Sequence, residues 1–189
     1  MLDGLAIGLI LGLLSGGRWS NLAHFDGRHV HWIPILFFAQ RLVATLGKSI
    51  GAPDSVVVWV WSLTSLSMIV VLMMQPRDIS IVLIIVGVAA NVLVVVANGG
   101  MPVYAEAVVP LGGNSSQALG ALESSGLHVE LTVATRFWVL ADIIGIPGPE
   151  WHRGIVSLGD VLMSGGAGAV LFRISRHRRT NSLSHVSLD

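Results

Sequence analysis

Apolar residues in this chain run in long blocks rather than alternating or recurring on one face. Five blocks suggest membrane-crossing helices, at residues 2–17, 32–47, 55–74, 79–97 and 155–172. A helix that crosses the hydrocarbon core needs about 20 mostly apolar residues. Only Asp3 interrupts the first block, which has neither the basic flank nor the cleavage site of a signal peptide. The second carries Pro34 in its first turn and Arg41 inside. The third and fourth are free of charge, and Pro76 with Arg77-Asp78 leaves only a tight turn between them. They are therefore predicted to form an antiparallel hairpin. The fifth holds Asp160 near its start and ends at Arg173, Arg176, Arg178 and Arg179.

The long connection between the fourth and fifth blocks changes character three times. Residues 98–111 are apolar with Pro102 and Pro110, and residues 112–126 are rich in Gly, Ser and Asn and so read as flexible. Residues 134–146 are apolar but too short to span, carry Trp138 and two charges, and stop at Pro147 and Pro149. That pattern predicts an outward re-entrant or interfacial helix. The expected fold is thus an all-α integral membrane bundle of about five transmembrane helices plus that helix. Residues 1–179 form one membrane domain, and residues 180–189 form a disordered polar tail. The chain has no internal repeat of the inverted-topology kind, which weakens a secondary-transporter reading.

Composition narrows the class further. Of 189 residues, 53% are hydrophobic and 12% charged, half the roughly 25% charged of a soluble domain; mean hydropathy is +0.76. Zero net charge excludes the basic face that a nucleic-acid partner requires. Without cysteine there is no disulfide, thiolate nucleophile or usual structural zinc site. Basic residues of short loops stay cytoplasmic. With the C-terminus inside, Arg18, Arg28, Arg77 and the four tail arginines are inner, against Arg41, Lys48, Arg136 and Arg153. The predicted orientation is N-terminus out, C-terminus in.

Candidate chemistry is sparse. Gly4, Gly8, Gly12 and Gly16 fall four apart on the first block and predict a flat face for close helix packing. Ser164, Gly165, Gly166, Gly168 and Ala169 of the fifth block offer a matching face, so these two helices are expected to pair within one chain. Asn91 lies mid-span, with Asn98 seven residues on and nearly on the same side. Arg136, Asp142 and Asp160 are each flanked by apolar residues on the outward side, where an unpaired charge is costly. Together with the two asparagines they are read as one outward polar group. Within it, Arg136 is expected to pair with one of the aspartates. His24, His29 and His31 have no companion carboxylates or thiols, so no metal or cofactor is predicted; a bound lipid is compatible with the outward group.

Three motifs sharpen the picture: NGGMPV at 98–103, TRFWVLAD at 135–142 and SLGD at 157–160. Together they resemble a family of small bacterial integral membrane proteins that is a domain of unknown function. The resemblance runs from about residue 79 to 172, and more weakly over the first 50 residues. It implies a multi-pass protein of the bacterial cytoplasmic membrane and carries no activity. Relatives often have one more residue before the methionine of NGGMPV, and Arg41 is atypical. The favoured function is a non-enzymatic accessory or scaffold subunit, packed against a larger membrane partner or a further copy of itself. The alternatives are a lipid- or small-solute-binding transport protein and a lipid-acting membrane enzyme with Asp142 or Asp160 as general base.

Overall fold

A computed structural model describes residues 2–24, 29, 31–123, 125–149 and 152–176. The chain is mostly helical. Its principal helices are α1 (Leu2–Leu14), α2 (Trp32–Ser49), α3 (Asp54–Met73), α4 (Ile79–Asn98) and, after a long connection, α6 (Leu158–Arg176). Within that connection lie β1 (Met101–Val103), α5 (Ser115–Glu123), β2 (His128–Glu130), β3 (Ile144–Ile146) and β4 (Gly154–Val156). Two helices, α3 and α4, are long and apolar enough to cross a membrane.

The helices pack as a row, in the order α1, α6, α4, α3, α2. α1 and α6 run parallel: Gly4 abuts Ser164, Gly8 abuts Gly168 and Gly12 abuts Phe172 and Ser175. A Cβ at Gly4 or Gly8 would fall inside the α6 backbone, so only glycine permits this approach. α4 crosses α6 in the opposite sense, with Gly87 against Gly159 and Met163, and Ser80 against Gly166. α2 and α3 are antiparallel, and the buried Gln40 amide donates to Ser65 Oγ at 2.6 Å. The helix pairs thus bury small and polar residues such as Ser62, Ser65, Ser80, Asn91 and Ser175, while Phe38, Leu14, Met73 and Ile79 are exposed.

Local sequence explains where the helices begin and end. Asp78 caps α4 by accepting from Ser80 N at 2.8 Å and pairs with Arg173 near the end of α6. Gly99 closes α4 in the left-handed conformation, φ 71°, where a Cβ would be strained. α1 stops at Leu14, short of the predicted 17, because Gly16 turns the chain at φ 89°. Gly16 therefore lies beyond the helix, and its Cβ position has no neighbour within 4 Å.

The connection departs most from expectation. Residues 134–146, predicted as a helix, form instead a turn, a short 3-10 segment Trp138–Leu140 and then β3. Phe137 enters the left-handed region at φ 54°. Gly145 presses against Ala107 O, and β3 pairs antiparallel with β4, Ile144 opposite Val156. The flanking prolines and the Ile-Gly-Ile alternation favour extended backbone over a helix. β1 pairs in parallel with β2, Pro102 opposite Val129. Residues 112–126, read as flexible, contain α5. The last block starts as strand at Ile155, and helix begins only at Leu158. The predicted polar tail lies outside the described residues. Val57, Val58, Val94, Val95, Met101 and Leu127 form one core cluster, joining the helices to this cap.

Candidate functional site

The site lies where α4 ends and α6 begins. Ser157 is fully buried and opens α6 with a reciprocal capping pair. Its hydroxyl accepts from Asp160 N at 2.9 Å, and its own N–H donates to Asp160 Oδ2 at 3.3 Å. The spacing S-x-x-D dictates this: residue N3 can reach back to the cap only from three positions on. Asn91, buried on α4, spans the two helices. It donates from Nδ2 to Asp160 Oδ1 at 2.9 Å and accepts from Ser157 Oγ at 2.9 Å. Gly159 has to be glycine here, because a Cβ would fall on the Asn91 amide.

A second clamp lies about two helical turns further out on α4. The Asn98 side chain accepts from Arg136 N at 2.8 Å and donates to Arg136 O at 2.9 Å. It thus pairs with that backbone as another peptide group would. Past Gly99 the chain enters β1, which is buried throughout. Met101 N donates to Leu127 O on the β2 side, while Pro102 O accepts from Asp142 N at 2.9 Å on the other. Tyr104 N then donates to Asp142 O at 2.9 Å, so the backbone of Asp142 extends the β1–β2 pair as a third rung.

Asp142 is 6% exposed, and among the described residues its Oδ1 has no hydrogen-bond partner. Burial, reinforced by the negative charge of Asp160, pushes its carboxyl up to about 8. That shift favours the protonated carboxyl at neutral pH. His128 sits in the same region, with Nδ1 2.6 Å from Ser125 Oγ. Its pKa is held below the usual imidazole value, chiefly by desolvation and also by the charge of Arg41, with Asp160 acting in the opposite sense.

The structure brings Asn91 and Asp160 into direct contact and joins Asn98 to Arg136, but not in the way the sequence suggested. Arg136 is exposed and contributes its backbone; among the described residues its guanidinium makes no ion pair with Asp142 or Asp160. An exposed guanidinium has water as its partner and no reason to seek a buried acid. Gly4, Gly8, Gly12 and Gly168 lie at the α1–α6 contact, whereas the Cβ positions of Gly165 and Gly16 meet nothing within 4 Å. Sequence reasoning quoted Ser157 within SLGD but gave its side chain no role, although S-x-x-D spacing before an apolar run is a legible start signal. It set His128 aside as an outward histidine without a nucleophilic serine, and only the β1–β2 pairing carries it to this junction. Among the described residues, no three histidine or acidic side chains are placed to hold a metal ion.

Chemically, the junction can lock two helix ends and a small β-cap together and hold one proton on Asp142. A family model described as a family of unknown function (DUF5317) matches residues 24–172. No curated protein and no solved structure matches the chain.

Proposed function

We propose, for a chain that belongs to the DUF5317 family and takes no activity from it, that it is a non-enzymatic five-span protein of the bacterial cytoplasmic membrane. It acts as an accessory or scaffold subunit, N-terminus out and C-terminus in, with its polar junction clamping an outward cap onto the helix row.

The distribution of polarity carries this reading. Hydrogen-bonding side chains lie between the helices, and large apolar ones point away along all of α1 to α4. In water such a surface would far exceed the few hundred Å² of apolar patch that a soluble monomer exposes; in lipid it costs nothing. α6 falls short on hydropathy because its packing face is glycine and serine and because it carries Asp160 and Arg173. α1, at 13 residues, is about 20 Å long and is continued by the turn to Gly17, which donates to Gly12 O. The parallel run of α1 and α6 suits an odd number of crossings. Arg18 N bonds Ser175 O, which gathers Arg18, Arg173, Arg176 and the Arg77 turn at one end, as inner-side basic residues require. The row is also open-ended: α1 packs chiefly on α6, and α2 on α3. Two helix flanks are left for a larger partner.

Reporter fusions test the topology. One joined after Arg179 should be active in the cytoplasm and one inserted at Asn114 active outside; reversal at both sites rejects the orientation. Purification in mild detergent should bring down a larger membrane protein in a fixed ratio. A protein that emerges alone, at every expression level and in several detergents, rejects the accessory role.

A further inference from the structure

A groove of about 630 Å³ runs along the outer surface of the α1–α6 pair. Its walls are Ile7, Leu11, Val161 and Phe172, and its floor includes Gly165 and Ala169. Asp3 and Asp160 stand at its α6 N-terminal end. Two features set this groove apart from ordinary helix packing.

The first is Gly165. Gly4, Gly8, Gly159, Gly166 and Gly168 are all occupied at their Cβ positions by a neighbouring helix, but at Gly165, its own helix backbone aside, no atom of the described residues lies within 4 Å. Glycine inside a helix is unfavourable relative to alanine, and here no protein contact repays it. The space over Gly165 is open to the groove.

The second is charge. Asp3 is partnered by His152 at 2.8 Å. Among the described residues, Asp160 accepts hydrogen bonds from two neutral donors, Asn91 and Ser157. At this end the groove therefore presents Asp160 with no cationic side chain bonded to it among the described residues, and hydrocarbon along the rest. From Asp3 to Leu11 the helix rises about 12 Å, close to the depth of one leaflet of a roughly 30 Å hydrocarbon core.

We propose that this groove binds one aminophospholipid of the outer leaflet, its ammonium against Asp160 and one acyl chain over Gly165. The inference rests on the membrane reading above. An anionic lipid of the same chain length would bring a like charge to Asp160 and Asp3 and is disfavoured. The volume lies within the roughly 300–1,000 Å³ of small-molecule sites.

The test uses the full-length protein purified from membranes in mild detergent and analysed by native mass spectrometry. After delipidation it is returned to bilayers of phosphatidylethanolamine or phosphatidylglycerol. One phosphatidylethanolamine should remain bound, with at least tenfold preference over phosphatidylglycerol. Asp160→Asn should lose that preference, but it also disturbs the α6 cap and could unfold. Gly165→Leu guards against this, because its side chain enters open space: it should melt like the delipidated wild type and hold the lipid at least tenfold more weakly. Equal retention of both lipids, or full retention by Gly165→Leu, overturns the proposal. A membrane-embedded protein with no bound lipid overturns the proposal alone, whereas a protein found in the soluble fraction without detergent overturns the membrane reading with it.

Discussion

At the scale of single residues, Asp142 and Asp160 show how two nearby carboxyls take different roles from their surroundings. Asp160 is ringed by donors, from the Asn91 amide and Ser157 N. Asp142 has its backbone engaged through both its N–H and its C=O by the β1 segment, but its Oδ1 is buried without a partner among the described residues. Its folded carboxyl titrates near 8 against an ordinary 3.8. The folded state therefore keeps a proton that the unfolded chain releases from about pH 4 upward. Stability should fall as pH rises across the window from 4 to 8 and level off above it, with a slope approaching about 1.4 kcal/mol per unit. Asp142→Asn removes this titration. Its advantage in chemical or thermal unfolding should grow from pH 5 to pH 8, and a constant difference across that range would exclude a raised Asp142. The acids were legible in the sequence as charges in apolar context. Which of them would be partnered was not, because the partners, Asn91 of α4 for Asp160 and Pro102 of β1 for the Asp142 backbone, lie 69 and 40 residues away along the chain.

At the scale of elements, glycine spacing in α1 was readable as a packing face, and α6 is its neighbour. The register was not readable. Four glycines at equal spacing look equivalent, yet Gly16 falls after the helix end and Gly12 meets a serine hydroxyl rather than bare backbone. Gly8→Leu should destabilise by at least the roughly 1–3 kcal/mol of an overpacked core, because the Gly168 backbone cannot retreat from it. Gly165→Ala, in open space, should be neutral or stabilising by up to about 1 kcal/mol. Thermal melts of the two variants in one detergent check both; similar losses would mean that α1 and α6 do not pack in this register. Residues 134–146 were misread for a related reason. An apolar run bounded by prolines has no period that separates helix from strand, and only pairing with β4 decides for strand.

For the whole molecule, the cap is tied to the helix row by the core cluster around Met101 and Leu127 and by polar side chains, and Asn98 is one whose removal leaves the helices intact. Asn98→Ala deletes both bonds to the Arg136 backbone. Amide exchange should then rise across residues 131–142 while α3 and α4 stay protected. Arg136→Ala, which removes an exposed side chain and keeps the backbone, should change stability by less than about 0.5 kcal/mol. A large loss for Arg136→Ala, with none for Asn98→Ala, would reinstate the ion-pair clamp. The sequence by itself determined the helical class, the α3–α4 hairpin and most helix limits. These follow from runs of apolar residues and from caps such as Asp78 and Gly99, which act within a few residues. Only the tertiary structure decided the row order, the β-cap, the neutral state of Asp142 and the groove over Gly165. Each depends on which distant backbone comes within a few ångströms, and a local pattern contains no such distance.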